Sequence, residues 1–207
     1  MRVLPAGPHA LLVEVADQAS ALGLYAEIRR RVEEGWPGPP PVEVVPAART
    51  VLLDGLEQPS RVAAEIESWP ALPGSVPVGD LVECPTVYDG PDLELVARHW
   101  GMSPREVVGI HTSTEFCVAF CGFAPGFAYL VGLPPTLAAV PRRPSPRPEV
   151  PAGTVALAGE HSAIYPRASP GGWQLIGRTE LVLWDPARQP PALLSPGARA
   201  RFVEVAT

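Results

Sequence analysis

An α+β architecture in two modules is predicted by three observations. Up to residue 88 the chain alternates short apolar runs with helical periodicity in the order β-α-β-β-α-β. From residue 115 onward it reads instead as many short strands punctuated by Gly and Pro, of which the 207 residues hold 19 and 28. That is the pattern of a closed or nearly closed β barrel. Charge divides in the same sense. Residues 1–100 carry 7 Arg against 15 acidic residues, a net of −8, and residues 101–207 carry 9 against 7, a net of +2. The predicted modules are residues 1–88 and residues 89–207.

In the first module, residues 10–15 (ALLVEV) form a strand. Asp17 or Ser20 caps a helix running to about Glu34, with Leu22, Tyr25, Ile28 and Val32 on its buried face. The run GWPGPPP at 35–41 stops that helix, because Pro cannot continue it. Strands at 42–45 and 50–53 follow. Ser60 precedes a second helix with Val62, Ile66 and Trp69 apolar, and 70–77 breaks it. A strand near 81–88 closes the unit. This order is that of a ferredoxin-like split βαβ module.

The second module opens with helices at 92–100 and 103–111, the latter started by Ser103-Pro104-Arg105-Glu106, a capping signal with Pro at the first helical position. Strands are predicted from 115, at 154–158, 174–176 and 181–184, and at 200–205. Ser169-Pro170-Gly171-Gly172 suits a type II turn. A chain that places so many rigid turns between strands builds a concave, loop-lined site.

Composition excludes several chemistries. There is no Lys and no Asn; all 16 basic residues are Arg. Schiff-base lysine, a Walker A loop and a Cys-His-Asn site are therefore absent from this sequence. Negative net charge without a basic stripe argues against nucleic acid. No apolar run reaches the roughly 20 residues that span a bilayer, and the start lacks a signal-peptide pattern, so no membrane association and a cytoplasmic location are expected. Cys84, Cys117 and Cys121 read as buried free thiols. His9, His99, His111 and His161 lack metal-ligand spacing, so no protein-bound metal is expected.

Three runs in 111–179 carry a family resemblance. GFAPGFAYLVGLP (122–134) resembles GFxPGFxYLxGLP, PRRPSPRPEVPAGTVALAG (141–159) resembles PRRxxPRxxVPAGSVxIAG, and IYPRASPGGWQLIGRT (164–179) resembles IYPxxSPGGWxxIGRT. Together these resemble the B-type subunit of bacterial ATP-dependent 5-oxoprolinase. That family is also called allophanate hydrolase subunit 1 and includes the KipI-type inhibitor of a histidine kinase. The resemblance implies a ferredoxin-like N-terminal domain and a cyclophilin-like β-barrel C-terminal domain. It implies a homologous C-type partner and a separate A-type partner, and opening of 5-oxoproline to L-glutamate driven by ATP with magnesium. It further implies that the isolated chain is inactive. Two alternatives come with it: a regulatory protein that docks on a histidine kinase, and half of a carboxyltransferase that takes a carboxyl group from biotin carried on another chain. Two departures stand out. Phe116 occupies a position usually held by Tyr, and Gly159-Glu160-His161-Ser162-Ala163 replaces GxQTG.

Lactam cleavage needs cations or N–H donors aimed at developing negative charge and an acid/base near the ring nitrogen. His111 is either that acid/base or a histidine packed at a helix end. Glu115 either orients His111 or is solvated. Arg142, Arg143 and Arg147 read alone as a basic linker; with the resemblance they form a rigid loop at the site mouth, with Arg147 the expected catalytic residue for a small anionic amide or lactam. Arg178 is either a surface charge or an anion ligand. The expected substrate-binding residues are Pro125, Gly126, Phe127, Tyr129, His161, Tyr165, Pro170, Gly171 and Gly172. Phe123, Phe127, Tyr129, Tyr165 and Trp173 read as mostly core, with one or two of them lining the pocket, and His161 is either an exposed loop histidine or a substrate contact.

Overall fold

The computed structural model describes residues 1–36, 38–69 and 79–206. The chain divides into two units, Met1–Val78 and Gly79–Thr207. The α+β class predicted from the sequence is the one observed.

In the first unit, β1 (Arg2–Pro5) and β2 (Leu11–Glu14) form an antiparallel hairpin. α1 (Gln18–Gly35), β3 (Glu43–Pro46), β4 (Thr50–Asp54) and α2 (Pro59–Glu67) follow. The sheet order is β1-β2-β4-β3. Asp17 caps α1, accepting from the Ser20 N–H at 2.8 Å. The core gathers Val13, Leu24, Ile28, Val51, Leu53 and Ile66, all fully buried; each such side chain is worth roughly 1.5–3 kcal/mol of burial. α2 starts at Pro59 rather than after Ser60, because Pro is pre-organised for the first helical position. β1 escapes the sequence reading, since four residues show no periodicity. The helix breaks read at 35–41 and 70–77 fall partly and wholly outside the described residues.

The second unit begins with β5 (Leu81–Thr86), then α3 (Leu93–Trp100), α4 (Pro104–Ser113), β6 (Glu115–Cys121) and β7 (Ala128–Val131). It continues with β8 (Arg147–Val150), β9 (Thr154–Ala158), β10 (His161–Ile164), β11 (Ser169–Gly171), β12 (Gln174–Arg178) and β13 (Arg199–Glu204). The sequence pattern assigns the strand near 81–88 to the first module. The structure puts β5 in the second unit, parallel to β13 from Leu81↔Arg199 to Thr86↔Glu204. The edge place beside β2 in the first sheet is taken by β1.

Seven strands run in the order β12-β9-β10-β7-β6-β13-β5. The two edges then meet. Val87 and Arg178 exchange backbone hydrogen bonds at 2.9 and 2.8 Å, and Gly90 and Asp92 donate to Ile176 and Leu175. The sheet is thus a nearly closed barrel. A Cβ on Gly90 would run into the Ile176 backbone, so this seam requires glycine.

Side chains alternate across the strand layer. Val155 and Leu157 of β9 join Phe116, Val118, Leu130, Ile164, Ile176 and Phe202 in the principal core. Ala156, Ala158 and Ala163 face the other way, with Phe127, Tyr165 and Trp173. Their small size leaves room for an aromatic layer against which the β8–β11 ribbon packs. A bulge in β6 between Val118 and Phe120 serves this layer. Strict alternation from Phe116 and Val118 would send Phe120 inward; the extra residue turns it to stack on Tyr129, with ring centroids 4.3 Å apart.

Two other readings are corrected. Residues 169–172 form no type II turn: Ser169 and Gly171 pair with Val150 and Arg147, and Gly171 lacks the positive φ such a turn needs. Residues 181–184 form no strand; Trp184 alone bridges Ala192. The capping box at Ser103 is present as read, with Ser103 N–H donating to the Glu106 carboxylate at 2.7 Å. Among the described residues no helix is long and apolar enough to cross a membrane.

Candidate functional site

A cavity of about 270 Å³ opens on the aromatic layer of the second unit. Phe123, Phe127, Tyr129, Tyr165 and Trp173 form its walls, Arg142 is its cation, and Pro146, Pro170, Gly171 and Gly172 line its ribbon side. Phe127 is the hub: its ring makes edge contacts with Tyr129, Tyr165, Trp173 and Phe123 at centroid distances of 5.1 to 5.6 Å. Gly171 is required for this shape, since a Cβ there would collide with the Tyr165 hydroxyl. Burial pushes the Tyr165 phenol up, with the Trp173 main chain and Arg142 acting against the shift. Tyr165 therefore stays protonated near neutral pH and offers a hydrogen bond.

Among the expected substrate-binding residues, Phe127, Tyr129, Tyr165, Pro170, Gly171 and Gly172 line this cavity. Pro125 and Gly126 do not. They belong to the turn that carries Phe127 in, and Gly126 packs on Leu183 and Trp184. His161 borders the cavity through Tyr129, whose ring it meets edge-on at 5.7 Å. Burial lowers the His161 pKa, and Arg142 lowers it further while Glu160 opposes them. His161 therefore stands neutral beside the aromatic wall.

The residues expected to be catalytic lie elsewhere. His111 is fully buried at the end of α4, its ring 4.2 Å from Phe202 and 5.0 Å from Phe116. The Tyr88 hydroxyl lies 2.7 Å from its Nδ1 and the Ser162 hydroxyl 2.8 Å from its Nε2. Burial pushes its pKa down to about 3. Ser162 faces the principal core while its neighbour Ala163 faces the aromatic layer, so the strand layer separates His111 from the cavity. Phe116 packs on the same imidazole, which places the family's missing hydroxyl in the core too. Glu115 does not touch His111; it spans Arg199 and Arg201 on β13 at 3.1 and 2.9 Å. Arg178 sits on the barrel seam and donates to Asp89 at 2.9 Å.

Arg147 is also engaged. Its Nη2 lies 2.8 Å from both carboxylate oxygens of the buried Asp92, and its Nη1 donates to the Trp173 carbonyl at 3.3 Å. Asp92 accepts in addition from the Leu175 N–H at 2.7 Å. The cation left for a ligand is Arg142, which has no carboxylate partner among the described residues and whose guanidinium carbon stands 5.8 Å from the Trp173 ring centroid. The sequence reading singles out Arg147 from the basic run; nothing local shows that Arg147 is paired and Arg142 left over, since Asp92 lies 55 residues from Arg147. Among the described residues no group of three or more His, Cys, Asp and Glu side chains is placed to hold a metal ion.

An aromatic box with a guanidinium at its mouth has the shape and charge to suit a small flat anion.

Comparison with known proteins places the chain in a family. The family model for the carboxyltransferase domain, subdomains C and D, matches residues 1–194. The B-type 5-oxoprolinase subunit of Escherichia coli O157:H7 is 47% identical over 74% of this chain and 69% of its own length. The B-type 5-oxoprolinase subunit of Bacillus subtilis is 49% identical over 60% of this chain and 53% of its own. The crystal structure of TTHA0988 superposes with a TM-score of 0.75 at 34% identity, covering 96% of this chain and 40% of that one. The chain thus spans 69% and 53% of the length of these two curated relatives and 40% of TTHA0988.

Proposed function

We propose a function from one premise: this chain belongs to the carboxyltransferase domain family, subdomains C and D. The proposal is that it is the B-type subunit of an ATP-dependent 5-oxoprolinase, which opens 5-oxoproline to L-glutamate together with homologous C-type and separate A-type subunits. Relatives named as B-type subunits of 5-oxoprolinase support this reading. The single observation that carries it to a site is the aromatic cavity with Arg142 as its free cation.

In this reading Arg142 takes the carboxylate of the lactam, and Phe127, Tyr129 and Trp173 enclose its ring. The Tyr165 phenol, held protonated, donates to the polar edge of the ligand. ATP, with its magnesium, would supply the phosphoryl group: its transfer to the lactam oxygen, with ADP leaving, would activate the lactam carbon towards water. Its triphosphate requires several cations or N–H donors, whereas the cavity offers one arginine, so this cavity takes the lactam and not the nucleotide. The site residues first expected, His111, Glu115, Arg147 and Arg178, then hold the barrel and the cavity wall instead of touching substrate. Use of ATP assigns the complex to the cytoplasm.

The test is 5-oxoproline-dependent phosphate release by this chain purified with its C-type and A-type partners, omitting each in turn. Release that needs every component is expected. A stable complex that releases no phosphate with 5-oxoproline would contradict the substrate. Turnover by the single chain would contradict the shared site.

A further inference from the structure

Phe123 has an unusual combination of properties for a large apolar residue. Its φ is +68°, and among the described residues it is the one non-glycine residue with positive φ. The Ala124 N–H donates to the Gly122 carbonyl at 2.8 Å across it, which makes a γ-turn of the rare, strained hand. The turn is pinned from both sides, with Gly122 N–H donating to the Phe127 carbonyl at 3.1 Å and Phe127 N–H to the Ala124 carbonyl at 3.0 Å. A β-carbon is unfavourable in this conformation and glycine is at ease there. The side chain offers little burial in exchange, being 61% exposed. Its ring stands at the cavity mouth, edge-on to Phe127 at 5.2 Å and to Tyr165 at 6.3 Å.

A residue that costs the fold backbone strain and contributes little to the core is retained for what it touches. We propose that Phe123 is a ligand-contacting residue: its ring closes over the outer face of a flat-ringed carboxylate whose charge sits on Arg142 and whose inner face lies on the Phe127–Tyr129–Trp173 wall. This rests on the proposed lactam site and deepens it, by making ring shape a recognition element separate from charge. The occupant is a small molecule rather than a protein segment, because about 270 Å³ enclosed by five aromatic rings and one guanidinium accommodates a handful of heavy atoms.

The experiment uses the full chain with Phe123→Gly and Phe123→Leu. Isothermal titration is run with cyclopentanecarboxylate, L-5-oxoproline and 2-pyrrolidinone, beside thermal melts of each variant. KM for 5-oxoproline is measured in the assembled complex. The expected result is that both carboxylates bind and the uncharged lactam binds far more weakly. Phe123→Gly should weaken both carboxylates about tenfold while its Tm holds or rises, because glycine relieves the turn. Phe123→Leu should fall between them. In the complex Phe123→Gly should raise KM with kcat little changed.

Unchanged carboxylate affinity in Phe123→Gly would overturn the proposal, as would a lowered Tm with affinity retained, which is the mark of a packing role. No binding of either carboxylate by the wild-type chain, together with an unchanged KM in the variant complex, would overturn it as well. So would loss of complex assembly in Phe123→Gly with affinity intact, which would make Phe123 part of an interface with a partner chain. The two proposals fail separately. Phe123-dependent binding of cyclopentanecarboxylate without any lactam-driven phosphate release sinks only the 5-oxoprolinase reading. Lactam-driven turnover indifferent to Phe123 sinks only this one.

Discussion

Asp92 holds Arg147, and through it the wall of the cavity: one guanidinium nitrogen reaches both carboxylate oxygens at 2.8 Å. The same carboxylate takes the Leu175 N–H, so β12 and the 141–147 segment are anchored at one point. Arg143 adds a longer contact to it at 3.8 Å. Both partners of the main pair are mostly buried, which makes each costly to leave alone.

Asp92→Ala should therefore destabilise the chain by about 3 kcal/mol, because an arginine loses its counter-charge inside the protein. Arg147→Ala should destabilise it comparably for the mirror-image reason. Urea unfolding checks both. Midpoints equal to wild type would show that the pair is solvated and does not anchor the wall.

Arg142→Ala should behave in the opposite way. No hydrogen bond or ion pair to Arg142 occurs among the described residues, so its Tm should stay within a degree or two of wild type. Binding of L-5-oxoproline should fall at least tenfold. Arg142→Lys should restore part of it, as a point charge replaces the planar fork. A calorimetric titration decides this.

How much of this was legible in the sequence depends on distance along the chain. Helix starts at Asp17 and Ser103 were readable because a cap and its partner lie three residues apart. Phe127, Tyr129 and Tyr165 lie in motifs that bring them into the cavity wall, whereas the turn read at Gly171 is a strand, because its partner β8 lies more than twenty residues earlier. The partner of Arg147 was not, because Asp92 lies on the far side of four intervening strands and helices in the chain. β5 was misassigned for the same reason, since its register is written in β13, more than a hundred residues on. Phe123 read as core because sequence shows its hydrophobicity and not its φ.

His111 should set an acid limit on stability. Its folded pKa of about 3 lies below the 6.5 of an unperturbed histidine. Between these values the unfolded chain binds a proton that the folded chain refuses. The contribution is present above about pH 6.5 and is lost as pH falls towards 3, at up to ~1.4 kcal/mol per pH unit. His111→Gln removes this titration while keeping a polar group between Tyr88 and Ser162. Its urea midpoint should fall less steeply than wild type between pH 6 and 4. Parallel curves would show that the imidazole is reached by water.

Glu115→Ala should matter little. Its partners Arg199 and Arg201 are a third to nearly half exposed, so solvent screens the two ion pairs and they add little to stability. Ligand affinity should be unchanged. A fall in affinity would return Glu115 to the site.

In the proposed reading, the aromatic cavity with Arg142 is where this chain meets its ligand. The most direct measurement follows the assigned indole N–H resonance of Trp173 during titration of the full chain with L-5-oxoproline, in wild type and in Arg142→Ala. A saturable shift of Trp173 is expected in the wild type and is lost in the variant, with the Trp69 resonance of the first unit unmoved in both. A Trp173 resonance that stays in place while other residues shift, or one that shifts equally without Arg142, would contradict it.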